Sequence, residues 1–282
     1  MVTLNVSNMK MQCPDAYSID LASDSINFPR PINCVLFKLY YLVLNSITSN
    51  HMRMKAAIID LDGTMVDTMG DFVVAINLML HDLGFPPVDR GVVALRVGKG
   101  SKNLVSSVLN HALDQSIQAQ AAPEKIANFD HALNLYQQHY LAINGQHAQV
   151  YPGVVAGLQA LQHAGLKLAC LTNKPVGFAR ELLKLKGLDG FFSQLFGGDS
   201  FATKKPDALP VLKTCEALGT LPGQTLMVGD SSNDALAARA AGCPVLLVTY
   251  GYNHGQPVCG VDADGYIDAF PDIFRSYLAP AL

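Results

Sequence analysis

The stretch Ala56-Ala57-Ile58-Ile59-Asp60-Leu61-Asp62-Gly63-Thr64 decides the fold. Four apolar residues run into two acids and a Gly-Thr pair. A short apolar run bounded by turn residues reads as a strand buried on both faces, as in a parallel sheet. Asp60 and Asp62 are then poor core residues, because ionised carboxylates are almost never buried without a partner. Strict alternation places them on one face of the extended chain. They would project at the carboxyl end of the strand, where open α/β sheets bind ligands. One acid can act as a nucleophile and the other as acid/base, given a cation to offset their repulsion. The competing reading is a sharp Asp-Gly-Thr turn with solvated acids.

Three later segments weigh against that turn. Leu168-Ala169-Cys170-Leu171 is a second apolar run and ends in Thr172-Asn173-Lys174. Pro175 follows where a helix would start and Gly187 where it would stop. Thr172 therefore falls at a strand tip facing a helix N-terminus, a good place for a phosphate. Lys205-Pro206 comes next, with Pro206 at a plausible first helical position. Thr225-Leu226-Met227-Val228-Gly229 then runs into Asp230-Ser231-Ser232-Asn233-Asp234, followed by an alanine-rich helix ended by Gly242 and Pro244. Each segment alone has a plain reading: Thr172 and Ser231 as caps, Lys205 as a surface charge, Asp234 as a first-turn helix acid. Their order, with three at strand ends, is hard to obtain from capping alone.

The series Asp-x-Asp-Gly-Thr, Thr-Asn, Lys-Pro, Gly-Asp-Ser-x-x-Asp resembles the haloacid dehalogenase superfamily in its phosphatase branch, over about residues 54–282. Thr249-Tyr250-Gly251-Tyr252-Asn253-His254-Gly255, with Asp199 after Gly197-Gly198, is similar to bacterial phosphoglycolate phosphatases. The resemblance implies a Mg²⁺-dependent phosphatase of a small phosphomonoester, 2-phosphoglycolate first, working through an aspartyl-phosphate. It implies Asp60 as nucleophile and Asp62 as the acid that protonates the leaving oxygen and then activates water. It implies Thr172, Asn173 and Lys205 around the phosphoryl oxygens. Mg²⁺ would be held by Asp60, Asp230 and the backbone carbonyl of Asp62, with Asp234 binding through water or orienting Lys205. Ala208 departs from the family pattern, which often has Pro after Lys-Pro-Asp.

Between Asp60 and Thr172 the chain is far longer than a direct crossover needs. Phe72, Val73, Ile76, Leu80 and Leu83 recur at helical spacing, closed by Gly84; further helices are predicted over Lys102–Leu113 and Glu124–Leu141. The predicted architecture is thus α/β: a Rossmann-like doubly wound parallel sheet with an inserted α-helical cap. The core takes 54–67 and 149–282, the cap 68–148. Further strands are predicted at Leu195–Gly198, Val245–Thr249 and Gly265–Ile267. In the cap, Arg96, Gly98, Lys99 and Gly100 form a cationic, glycine-bearing loop. The resemblance implies that such a loop reads the substrate, and its cation would suit a carboxylated one; the other reading is a surface turn. Asp67 stands equally as a hinge or substrate-side acid and as a helix cap. Lys204 reads as solvated, and His254 as a surface residue rather than a catalytic one.

Residues 1–53 hold no acid motif. Their apolar run Cys34–Leu44 is too short to span a bilayer and lies too deep for a signal peptide. They read as a non-catalytic extension or an over-long translated start, with an interfacial or partner-binding helix as the other reading. Of 282 residues, 15% are charged and 50% hydrophobic, with a net charge of −3. That excludes a disordered chain and gives no basic footprint for nucleic acid. The six cysteines form no Cys-x-x-Cys pair or zinc spacing, which predicts reduced thiols and a cytoplasmic enzyme. No membrane partner is expected, and monomer and homodimer both stay open. The competing functions are a β-phosphoglucomutase-like phosphotransferase, a phosphatase of sugar phosphates or nucleotides, and a non-catalytic binding protein on the same scaffold.

Overall fold

A computed structural model describes residues 54–118 and 128–273. The readings of residues 1–53, and the start of the helix predicted from Glu124, fall outside the described residues. Six strands form one sheet in the order β5-β4-β1-β6-β7-β8, every pair parallel: β1 Ala56–Ile59, β4 Lys167–Leu171, β5 Gln194–Phe196, β6 Thr225–Gly229, β7 Val245–Val248 and β8 Gly265–Ile267. The central strands are apolar along their length because helices cover both faces. Ala57, Ile59, Leu168, Cys170, Leu226 and Val228 pack toward α5 (Val154–His163) and α6 (Val176–Leu185). Ala56, Ile58, Ala169, Leu171 and Met227 pack toward α7 (Leu209–Leu218) and α8 (Ser232–Ala241). The sheet is therefore doubly wound. β1 pairs with β4 on one side and β6 on the other, so Asp60, Thr172 and Asp230 leave three adjacent strands at the same end.

The insertion is helical and has an apolar centre of its own. It contains α1 (Met69–Asp82), α2 (Arg90–Ala94), α3 (Ser101–Gln118) and α4 (Phe129–Ile143), packed around Phe72, Ile76, Met79, Val105, Tyr136 and Tyr140. The short α2 carries no readable period and escaped prediction. So did the two-stranded ribbon of β2 (Val66–Asp67) and β3 (Gln149–Val150), whose antiparallel pairing brings the outgoing and returning chains together. The buried Asp71 carboxylate fixes that closure by accepting from Gly145 N at 2.7 Å and His147 N at 2.8 Å.

One helix start is corrected. Pro206 does not open a helix: α7 begins at Leu209, with Pro210 in its first turn and Asp207 Oδ1 accepting from Leu209 N at 2.8 Å. The acid, with Pro210 in the first turn, sets that start.

Candidate active site

Asp60 follows directly on β1, its N–H bonded to Val228 O at 2.9 Å. Asp62 no longer belongs to the strand. The N–H groups of Met65 and Val66 both return to Leu61 O, coiling the chain into a tight turn. Strict alternation ends with the strand, yet both acids line the same cleft. Their side chains go to different partners. Lys205 Nζ lies 2.8 Å from Asp60 Oδ1, whereas Lys174 Nζ lies 2.8 Å from Asp62 Oδ1 and 3.1 Å from Oδ2. Thr68 Oγ1 also donates to Asp62 Oδ1 at 2.8 Å.

Lys205 is almost fully buried and reaches Asp234 Oδ1 at 2.6 Å and Leu171 O at 2.9 Å. Burial alone would lower its pKa; the charges of Asp234 and Asp60 outweigh that and hold the ammonium above its ordinary range. Asp234 stands in the first turn of α8, where its Oδ2 accepts from Ser231 Oγ at 2.8 Å and Ser231 N at 3.2 Å. It is a helix-capping acid and a lysine holder at once.

Asp60, Asp230 and Asp234 each bring one carboxylate oxygen within 4.8 Å of the others. Burial raises the Asp60 carboxyl to about 7, with Lys205 pulling down and Asp234 pushing up. Burial, then the charges of Asp234 and Asp60, also lift Asp230. Asp60 Oδ1 is buried and lacks a properly directed donor, although Lys205 Nζ is 2.8 Å away. Gly63 and Gly251 back onto Asp230, and a Cβ on either would overlap its carboxyl group. Three acids against one ammonium, all with oxygen donors, fit a hard divalent cation. Because both Asp234 oxygens are committed, Asp60 and Asp230 have the freer lone pairs.

The cleft between sheet edge and insertion is lined by Asp60, Asp62, Thr172, Lys174, Lys205 and Asp230, facing Phe72, Gly98, Tyr136 and Tyr140. Thr172 is buried, and its Oγ1 accepts from Lys174 N at 3.2 Å. Asn173 spends its amide donors on Gly98 O at 3.0 Å and Lys205 O at 2.9 Å. Its side-chain amide holds the cap loop and the Lys205 backbone.

The cap loop is partly corrected. Gly98 lines the cleft, as expected of a substrate-side loop, and Asn233 also donates to its carbonyl at 3.2 Å. Arg96 does not face the cleft: its guanidinium is taken by Val92 O at 2.7 Å and Ser107 O at 3.3 Å. Lys99 is exposed outside the cleft, and only its carbonyl is engaged, by Lys204 Nζ at 2.7 Å. Lys204 is thus no free surface charge; partial burial, then Lys102, lowers its pKa. His254 is half-buried in the cleft wall, 3.2 Å from Asn233 Nδ2, so the surface reading fails there too. Asp67 lies at the hinge and caps α1, its Oδ1 accepting from Met69 N at 3.0 Å. Asp199 similarly caps α6 through Val176 N at 2.8 Å.

Sequence reasoning missed Lys174, Tyr140 and Tyr252. Lys174 adjoins Thr172-Asn173, which was the available signal. Tyr136 and Tyr140 stand one turn apart on α4, a spacing equally expected of cap core.

A parallel sheet with three acids and a lysine at the carboxyl ends of its central strands, under a helical insertion, defines a class. The chain belongs to the haloacid dehalogenase-like hydrolases, whose family pattern matches residues 54–242. Within that family it is a homologue of bacterial phosphoglycolate phosphatases. It is 42% identical over 221 residues to the phosphoglycolate phosphatase of Thiobacillus denitrificans, covering 78% of this chain and 94% of that one. It is 43% identical over 226 residues to the plasmid-borne phosphoglycolate phosphatase of Cupriavidus necator, covering 80% and 94%. A crystal structure described as a predicted phosphoglycolate phosphatase from Haemophilus somnus superposes with a TM-score of 0.74 at 33% identity, covering 79% of this chain and 97% of that one. Among the described residues no helix is long and apolar enough to cross a membrane.

Proposed function

We propose that this site hydrolyses 2-phosphoglycolate to glycolate and inorganic phosphate, with Asp60 as the covalent nucleophile. The observation that carries the reading is the contrast between the two acids. Asp60 sits among Lys205, Asp230 and Asp234, in a place suited to a phosphoryl group; Asp62 stands apart with Lys174, on the side toward the cap. That the homologues above are phosphoglycolate phosphatases supports phosphoglycolate as the ester.

An oxygen of Asp60 attacks phosphorus, and the ester oxygen leaves with a proton from Asp62. Water then attacks the aspartyl-phosphate and gives its proton to Asp62, freeing Asp60 and phosphate. Lys205 offsets the charge of Asp60 before attack and that of the phosphoryl oxygens after it. The Thr172 hydroxyl is placed to meet one of those oxygens. Mg²⁺, held by Asp60, Asp230 and the Asp62 carbonyl, would supply charge neutralisation on the phosphoryl group. Asp234 keeps Lys205 in place, and the insertion keeps bulk water out. The described cysteines are free thiols, consistent with a cytoplasmic setting.

Phosphate release from a panel of small phosphorylated acids, sugar phosphates and nucleotides tests the substrate, and Asp60→Asn tests the nucleophile. Turnover should fall roughly 10⁴-fold or more in a variant that still folds. Rapid quench of the wild type with labelled substrate should trap phosphate on the protein. Near wild-type turnover in Asp60→Asn would remove Asp60 from this role, and a preference for sugar phosphates would replace the substrate.

A further inference from the structure

Lys174 is the buried cation that the proposed chemistry leaves unused. Its side chain is 3% exposed, enclosed by Asp62, by the Phe72 ring at 4.7 Å and by the Tyr140 ring at 4.8 Å. An ammonium has three donors. Asp62 takes at most two of them, and the aromatic faces offer only a diffuse acceptor to the third. The other cleft lysine is held at the cation site, since Lys205 donates to Asp234 and Leu171 O and lies 2.8 Å from the Asp60 carboxylate. Arg96 is spent inside the insertion and Lys99 lies outside the cleft.

A polar group without a partner lines the same space. Tyr140 is 1% exposed, and its hydroxyl has no hydrogen-bond partner. Buried polar groups in native proteins nearly always have one, so an orphaned hydroxyl in a ligand cleft points to the ligand. Its burial, and then the charge of Asp62, hold the phenol well above its usual pKa, so it remains a donor. Its ring is fixed by stacking on Phe72 at 5.7 Å and by the edge of Phe178 at 5.2 Å. Phe178 belongs to α6, so the pair is assembled only where insertion and sheet domain meet.

We propose that Lys174 and the Tyr140 hydroxyl form a carboxylate subsite that makes this cleft select short phosphorylated carboxylic acids. The proposal rests on the hydrolase reading above and names what chooses its substrate. Its geometry follows from Asp62. The ester oxygen must meet Asp62 to be protonated. In a phosphorylated 2-hydroxy acid one carbon separates that oxygen from the carboxylate. The carboxylate then lies beside the partner of Asp62, which is Lys174. An uncharged substituent there would leave the ammonium and hydroxyl buried without a strong acceptor, which penalises it.

The competing role for Lys174 is a strut that only positions Asp62. The two differ in what they do to substrate preference. kcat/KM is measured for 2-phosphoglycolate and for its amide, phosphoglycolamide, which keeps the size and loses the charge. Wild type should prefer the acid. Lys174→Met should cut the acid by about 10- to 150-fold beyond its effect on the amide, with most of the extra loss in KM. Tyr140→Phe removes one oxygen, preserves the stacking, and should lower the acid selectively by a smaller factor; it keeps the test alive if Lys174→Met does not fold. Equal losses on both substrates would make Lys174 a strut and overturn the subsite. So would a wild type that hydrolyses acid and amide equally well, while the hydrolase reading survived. A wild type that releases phosphate from neither, nor from any other ester, fails the hydrolase reading itself, and the subsite falls with it.

Discussion

The Tyr252 hydroxyl donates to Asp67 Oδ1 at 2.7 Å, joining the loop after β7 to the hinge of the insertion. The Tyr252 hydroxyl oxygen in turn accepts from Thr68 N at 2.7 Å and Met69 N at 3.1 Å, while the Tyr252 backbone N–H holds Asp230 Oδ2 at 2.7 Å. One residue thereby ties an acid of the cation site to the point where the chain leaves the sheet. Tyr252→Phe strands the Thr68 N–H and one oxygen of hinge geometry, a loss of about 1–3 kcal/mol. Thermal denaturation should show a lowered Tm, and kcat/KM should drop on every ester alike. An unchanged Tm with unchanged kinetics would make the hinge contact incidental.

Gly63 has φ +84° and backs directly onto the Asp230 carboxylate. An alanine there adds left-handed strain of about 1–2 kcal/mol and pushes Asp230 aside. Gly63→Ala should fold, yet need far more Mg²⁺ for half-maximal activity. Wild-type Mg²⁺ dependence in that variant would show that Asp230 does not need its present position.

Cation binding and pH are linked through Asp60, lifted from 3.8 to about 7 by burial. The folded chain holds that proton more tightly than the unfolded one. The Asp60 proton therefore favours the fold in full below pH 3.8, and that benefit is lost as pH rises from there through about 7. In chelator, Tm should decline over that window. Added Mg²⁺ should recover it most at the alkaline end, where the acids are ionised, and Asp230→Asn should blunt the recovery. A Mg²⁺ response equal in wild type and Asp230→Asn would place the cation elsewhere.

Arg96→Ala offers a contrast with Lys174. Its guanidinium ties Val92 O and Ser107 O within the insertion. Two lost hydrogen bonds to a charged donor should cost roughly 2–4 kcal/mol of local stability, with similar effects on 2-phosphoglycolate and phosphoglycolamide. A selective loss on the acid would return Arg96 to the substrate side.

The family match begins at residue 54, just before β1. A chain starting at Met54 should retain the kcat/KM and Tm of the full protein. Collapse of either would show that the first 53 residues contribute to the enzyme.

The sequence by itself determined the sheet and the acids at its edge. β1, β4 and β6 are legible because a strand buried on both faces must be apolar throughout, and the polar residue that follows marks its end. Asp60, Thr172 and Asp230 stand just past apolar runs and Lys205 beside a proline; their order along the chain, and the resemblance it carries, is what singled them out. Tertiary structure alone decided which cation faces the cleft. Arg96 and Lys99 sit in a glycine-bearing loop that looks made for a substrate, yet α2 and α3 offer Arg96 nearer carbonyls, and Lys99 is exposed outside the cleft lining. Lys174 shows no partner in its local sequence; α1 and α4 lay Phe72 and Tyr140 over it, and Asp62 pairs with it. Strand ends are set by hydrophobic pattern within a few residues. The partner of a long cationic side chain is set by whichever acceptor the docked elements bring within about 3 Å, and local sequence carries no record of that distance.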